Sequence, residues 1–431
     1  MKSKLLLTLT SFLIALSVNA QKVNETDARL TNEFDRLLSA QFKSDGPGAA
    51  VLVARNGQII YKKGIGIADL ELNVAMQPDM IFRIGSITKQ FTAVAILQLA
   101  EKGKLSVDDD ITKYVTGFPT HGQTITIRHL LTHTSGIKSY TSMRTWDPMV
   151  RRKDMTPEEL INFFRDEPMD FLPGTRFLYN NSGYILLGYI IEKVTGISYA
   201  NYIEENIFKP AGMKNSKYDN HSTIIPNRAK GYQQGRDAVI NADFLSMTQP
   251  YAAGSLLSTV EDLYKWNKAL HSYSLIKKES LDQAFKSYKF EDGKETGYGF
   301  GWQLGNIQGS PAIEHGGGIN GFLTYSIYLP EADIFVAIFS NCNCNAPEIV
   351  TSKIAAVALG KPFPEKETAI EPANLKEFSG IYQNEEGTER EITAEGNDLF
   401  SRVKGSGRYR MIQYESDKFI LENSLTGSGS W

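Results

Sequence analysis

Strand-like text stands at two places far apart in this chain, with helical text between them, and that arrangement narrows the folds open to it. Ala49 to Ala54 and Gln58 to Lys62 are β-like runs separated by Arg55-Asn56-Gly57, a strong hairpin signal. The same texture returns at Phe322 to Leu329 and Ile334 to Ser340. From Ile125 to about Leu270 the text is mostly helical, with Pro and Gly punctuating its loops, and Glu348 to Leu359 closes with a helix. Thr26 to Phe42 reads as an amphipathic helix with Leu30, Phe34, Leu37 and Leu38 on one stripe, and Phe91 to Leu99 as a helix buried on most sides. These features predict an α+β body: a sheet made from the chain's two ends, with a helical subdomain inserted.

Of the 431 residues, 42% are apolar and 22% charged, ordinary for a globular chain. A prior of about 150 residues per domain allows two or three domains. The 46 basic and 49 acidic residues nearly cancel, so no cationic excess is available for a phosphate backbone, which argues against nucleic acid as the main partner. Residues 1–20 read as a signal peptide: Lys2 and Lys4, an apolar core from Leu5 to Leu16, then Val18-Asn19-Ala20 as a cleavage site. That core is shorter than the ~20 residues a bilayer span needs, and no later segment is long enough. The expectation is an exported protein, periplasmic or secreted, without a stable membrane span after cleavage; an uncleaved anchor is the alternative.

The main body is expected over residues 21–365, followed by a linker and a small β module over 366–431. Five short β segments fill that tail, from Phe378–Tyr382 to Phe419–Leu421, suggesting an incomplete barrel or one that leans on the main body. Cys342 and Cys344 are the only cysteines, which excludes a disulfide framework. Their C-x-C spacing would close a small strained ring, so they are expected to be two small apolar residues at a strand end.

Three short stretches carry chemistry. Ser86-Ile87-Thr88-Lys89 puts a hydroxyl and an amine one helical turn apart, and a buried lysine that has lost its proton can accept one from serine. The spacing alone is weak, because Ser135/Lys138, Ser274/Lys277 and Ser401/Lys404 share it, and Ser86 also fits a plain helix cap. Only Ser86 follows Arg83-Ile84-Gly85 and opens an apolar helix. Tyr179-Asn180-Asn181 offers a proton shuttle, for which a lowered tyrosine pKa would suit, and an amide for a substrate carbonyl; a turn capped by Asn181 fits the same text. His315-Gly316-Gly317-Gly318 lets a backbone approach closely and frees an N–H for an oxyanion, though a flexible turn would read alike.

Together and in this order, the three stretches resemble the serine β-lactamase and penicillin-binding superfamily, and most of all its class C β-lactamase-like and D-Ala-D-Ala carboxypeptidase branch. Phe82-Arg83-Ile84-Gly85-Ser86, Leu130 to Gly136, Pro173 to Gly188, Ala253-Gly254 and Tyr298 to Trp302 support it over roughly residues 27–360. The resemblance implies a β-lactamase/transpeptidase-like fold, an antiparallel sheet flanked by helices, while the tail is similar to small lipocalin-like β modules. It also implies an acyl-enzyme serine hydrolase without metal or cofactor. Ser86 matches the nucleophile, Lys89 its partner, Tyr179 the proton carrier and Asn181 the substrate-orienting amide. His315 and Gly317 match the outer positions of the third motif, and the N–H groups of Ser86 and Gly318 would form the oxyanion hole. A lysine usually stands where His315 does; a histidine there weakens attraction for a substrate carboxylate and shifts the expectation from β-lactams toward peptides, amides or esters. A peptide containing a D-amino acid, cell-wall peptide included, leads as substrate. Small esters, weak β-lactamase action and a non-turning-over sensor are the rivals. Glu158 and Asn162 imitate a deacylating glutamate but fit a helix start, and His129 and His133 have metal-pair spacing without a third ligand, so both read as structural.

Overall fold

The computed structural model describes residues 28–363, 375–383, 389–396, 398–403, 408–415 and 418–421, so the expected leader and most of the linker lie outside the described residues. The chain divides into two compact units, Met1–Lys361 and Pro362–Trp431.

In the first unit, six strands form one antiparallel sheet. They are β1 (Ala49–Arg55), β2 (Gln58–Ile65), β3 (Gln303–Ile307), β4 (Ser310–Ile319), β5 (Phe322–Leu329) and β6 (Ile334–Ser340), in the order β3-β4-β5-β6-β1-β2. The two ends of the chain meet where β1 pairs with β6, from Ala49 opposite Ser340 to Arg55 opposite Ile334. β5 and β6 are buried along their whole length, which explains why they read as unbroken apolar runs rather than alternating ones. On one face Ala50, Leu52, Ala54, Ala337 and Phe339 join the large core, while the alternate residues Val51, Val53, Val336 and Ile338 are buried on the other.

Five longer helices serve this sheet: α1 (residues 28–41), α2 (Thr88–Glu101), α3 (Asn181–Thr195), α4 (Val260–His271) and α5 (Glu348–Ala358). Every residue of α2 from Thr88 to Leu99 is buried, so this helix has no polar face; Trp266 of α4 stacks on its Phe91 with ring centroids 4.2 Å apart. A helix surrounded in this way is fixed by packing on all sides, which suits it to carry reactive groups. Between Ile125 and Leu270 the chain is less helical than its text suggests. Segments 132–156 and 165–180 are largely irregular, and short strand pairs such as Phe82–Arg83 with Leu256–Ser258 stitch the insert to the body.

The cysteine expectation is corrected: Cys342 and Cys344 are joined by a disulfide. Just beyond β6 the chain turns as Cys342 bridges Tyr232, and the turn brings the two Cα atoms to 5.1 Å, a separation a disulfide spans. In the second unit β7 (Gly380–Gln383), β8 (Glu389–Glu395), β9 (Asp398–Val403), β10 (Arg408–Glu415) and β11 (Lys418–Leu421) pair in sequence order. Among the described residues β7 and β11 do not pair with each other, so the meander is open and no barrel closes.

Candidate active site

Ser86 lies in a single 3₁₀ turn, Gly85–Ile87, that leads directly into α2. Its side chain caps neither helix, so the capping explanation for this serine falls away. The turn is held from three directions. Ile84 N–H donates to the Leu256 carbonyl at 3.0 Å, and Thr324 Oγ1 of β5 donates to the Ile84 carbonyl at 3.0 Å. Arg83 binds the buried carboxylate of Asp219 at 2.8 Å, with Arg228 on the same carboxylate at 2.7 Å. Two glycines let the turn meet the sheet. Gly85 has φ +50° and its missing Cβ would lie 2.9 Å from Gly318 N; a Cβ on Gly317 would lie 2.0 Å from the Ile84 carbonyl oxygen. Ser86 and Gly318, the two expected oxyanion donors, therefore belong to segments in direct contact, and Gly318 faces solvent.

Second in α2 and one turn beyond Ser86, Lys89 is wholly buried. Its Nζ lies 3.0 Å from Ser86 Oγ, 2.9 Å from Asn181 Oδ1 and 3.0 Å from the Ala253 carbonyl. Desolvation holds its pKa well below the ordinary lysine value. Asn181 Oδ1 and the Ala253 carbonyl can only accept, so they take two N–H bonds, and the remaining position of a neutral amine is a lone pair facing the Ser86 hydroxyl. That is the geometry of a base beside its nucleophile.

Asn180, not Asn181, caps α3: its Oδ1 accepts from Gly183 N–H at 2.8 Å. This leaves the Asn181 side chain free to enter the site, where Nδ2 donates to Thr141 Oγ1 at 3.0 Å while its backbone N–H donates to Ser139 Oγ at 3.2 Å. The ring of Tyr179 lies 4.7 Å from Lys89 Nζ. Its hydroxyl is buried beside Ser86 without a hydrogen bond of full geometry. Burial raises the Tyr179 pKa, only partly opposed by Ser86, so the expected lowering does not occur and this hydroxyl is a proton donor at rest.

His315 is placed differently from expectation. The ring is 2% exposed, Nδ1 lies 2.6 Å from the Gly316 carbonyl and Nε2 lies 2.8 Å from Tyr298 Oη. A carbonyl can only accept, so Nδ1 carries the proton and Tyr298 donates to Nε2. Burial is the main cause that brings its pKa down to about 3; Lys89 adds to it only when that amine is charged. His315 therefore offers no cation to a substrate carboxylate, the direction the ordinary histidine pKa suggested: its nitrogens are engaged inside the protein and burial disfavours the charged ring. Gly317 and Gly318 belong to β4 itself, opposite Thr324 and Leu323, rather than to a flexible turn.

Sequence reasoning missed the Ala253 carbonyl, Ser139, Thr141, Tyr298 and the interior placement of His133. A backbone carbonyl leaves no mark in a sequence, but Leu130 to Gly136 and Tyr298 to Trp302 were visible as motifs. His129 and His133 do not act together: from its place in helix Ile127–Leu131, His129 Nδ1 accepts from the N–H of the capping Thr126, and His133 packs against the Tyr179 ring. Glu158 is on the surface, paired with Lys193 and Tyr189. Among the described residues there is no cluster of three or more side chains suited to a metal, and no helix long and apolar enough to cross a membrane.

A sheet closed by the chain's two ends, with a buried helix holding serine and lysine one turn apart against it, is the frame of the serine hydrolases that use lysine as the base. Within that class the chain belongs to the Beta-lactamase family, whose model matches residues 34–359. It is 30% identical over 398 residues to penicillin-binding protein 4* of Bacillus subtilis, covering 86% of this chain and 87% of that one. Among solved structures it is similar to the octameric penicillin-binding protein homologue from Pyrococcus abyssi, at 32% identity and TM-score 0.69 over 94% of each chain. It is also similar to the D-amino acid amidase from Ochrobactrum anthropi, at 25% identity and TM-score 0.69 over 77% of this chain and 99% of that one.

Proposed function

We propose that the protein is an exported hydrolase that cleaves an amide or ester bond beside a D-amino acid through an acyl-enzyme on Ser86. The observation that carries this reading is the buried Lys89 Nζ, 3.0 Å from Ser86 Oγ. The substrate carbonyl enters between the N–H groups of Ser86 and Gly318. Neutral Lys89 takes the Ser86 proton as Oγ attacks, and the N–H groups hold the oxyanion. The Tyr179 hydroxyl gives a proton to the leaving nitrogen or oxygen and recovers one from Lys89. An amide side chain has two N–H donors, so Asn181 can keep Thr141 and still meet a second substrate carbonyl. Water then attacks the ester carbon as Lys89 takes its proton; the bond to Ser86 Oγ breaks, Lys89 returns the proton to that oxygen, and the carboxylic acid product leaves.

The likeness to a D-amino acid amidase supports the amide and its stereochemistry. The neutral, engaged His315 supports substrates whose recognition does not need a cation at that position, and so favours D-amino-acid amides and esters over peptides with a free carboxylate. The test is a panel of D- and L-amino-acid amides, D-Ala-D-Ala peptides, short acyl esters and a chromogenic cephalosporin on purified protein. Turnover of D-amides above the L-isomers and above the cephalosporin is expected. Stoichiometric acylation of Ser86 without turnover on any of them would overturn the reading in favour of a sensor.

A further inference from the structure

His133 is 1% exposed and has φ +60°, a left-handed conformation that is strained for a residue with a Cβ. Two hydrogen bonds show what holds it there. Its backbone carbonyl accepts from Leu178 N–H at 3.0 Å, and its ring Nδ1 accepts from Asn180 N–H at 3.1 Å. Main chain and side chain of one residue thus grip the chain on both sides of Tyr179. The next residue after the grip is Asn181, which begins α3.

The tautomer follows from chemistry. A backbone N–H can only donate, so Nδ1 presents its lone pair and the single proton of the neutral ring sits on Nε2. Nε2 has no hydrogen-bond partner; the ring lies among Tyr179, Tyr298 and Tyr184, with centroids at 4.2, 4.7 and 5.2 Å. Protonating Nδ1 would break the bond to Asn180 and bury a charge among those rings. Burial, the largest cause, keeps His133 neutral. The same Tyr179 ring has Lys89 Nζ 4.7 Å from its centroid.

We propose that His133 is a positioning residue for the hydrolytic reaction, clamping the backbone at Leu178 and Asn180 so that a single segment delivers Tyr179 and Asn181 to Ser86 and Lys89. It touches neither substrate nor the reacting atoms. This rests on the acyl-enzyme reading, and the test separates the two. Asn and Gly both tolerate φ +60° and both remove the ring, but only Asn keeps an acceptor near the position of Nδ1.

The experiment compares His133→Asn and His133→Gly for the rate of Ser86 acylation by a fluorophosphonate and by a D-amino-acid ester, with thermal melts of each. A segment displaced by about 1 Å loses about 10²-fold in rate, and that loss is expected for the glycine variant. The asparagine variant should remain within about 5-fold of the wild type, since it retains the hydrogen bond. In a Tyr179→Phe background the glycine loss should shrink, because both changes act on the same group. Glycine performing as well as asparagine, or full additivity with Tyr179→Phe, would overturn the proposal. If neither variant folds, ¹⁵N-histidine NMR of the wild-type protein decides it: His133 should hold its proton on Nε2 and stay neutral between roughly pH 5 and 8, whereas a proton on Nδ1 would refute the clamp. Failure of wild-type Ser86 to react at all would instead strike the acyl-enzyme reading.

Discussion

Two walls meet at Tyr179, each burying a histidine against its ring, and they use that histidine in opposite ways. On the helical wall His133 reaches across to another segment, accepting from the chain between Leu178 and Asn180. On the sheet wall His315 turns inward on its own strand, tying Nδ1 to the Gly316 carbonyl and Nε2 to Tyr298. One secures the residues that move protons; the other secures the backbone of the glycine strand beside Ser86. Neither brings a positive charge to the site. Acid–base work therefore falls to Lys89, whose buried amine is matched by acceptors on two of its three positions.

The largest break in this comparison comes from removing that amine. Lys89→Met should lower turnover on the order of 10³-fold or more while the fold persists, as read by kcat/KM alongside circular dichroism. Turnover near the wild-type level would move the base to one of the two walls.

A smaller effect tests the sheet wall. Gly317→Ala places a methyl 2.0 Å from the Ile84 carbonyl oxygen and 2.5 Å from Thr324 Oγ1, so backbone must shift. The expected loss is about 1–3 kcal/mol of stability, with slowed acylation because Ile84 precedes the Ser86 turn. At Gly318 a methyl meets only Leu323 Cδ2 at 3.4 Å, and Gly318→Ala should keep stability within about 0.5 kcal/mol. Urea melts of the two variants compare them directly.

The smallest effect on catalysis concerns His315 and pH. Its folded pKa of about 3 lies below the ordinary 6.5, so between these values the unfolded chain binds more protons than the folded one. Its contribution to stability is therefore present above about 6.5 and is lost as pH falls toward 3; His315→Asn should flatten that slope in chemical melts. Because the ring stays neutral over the working range, the ratio of kcat/KM for a matched carboxylate and ester substrate should not vary between roughly pH 5 and 8. A ratio that falls as pH rises through 6.5 would restore the cationic role.

The buried strands were legible in the sequence because their apolar runs are uninterrupted: β5 and β6 have the expected limits, and β1 extends the expected run by Arg55. β3 and β4 were not legible. Gly305, Pro311 and Gly316 to Gly318 carry no strand texture, yet glycine at 317 is what lets β4 touch the Ile84 carbonyl. At the site, Ser86, Lys89, Tyr179 and Asn181 are brought together in space, as three motifs in order suggested. The sequence misplaced the cap by one residue, since Asn180 and Asn181 are chemically alike and only the chain's path decides which turns back. It also read His315 as accessible, because burial by Tyr298 and Tyr179 comes from segments distant in sequence. Cys342 and Cys344 were misread for a similar reason: the turn that joins them is set by the bridge to Tyr232.

The central claim, that neutral Lys89 activates Ser86, is tested most directly by the pH dependence of Ser86 acylation followed by intact mass and peptide mapping. Using a neutral ester, the account predicts a single adduct on Ser86 whose formation rate rises with pH through one ionisation well below the ordinary lysine value. That ionisation should disappear in Lys89→Met. An adduct on another residue, or a pH profile that Lys89→Met leaves in place, would contradict it.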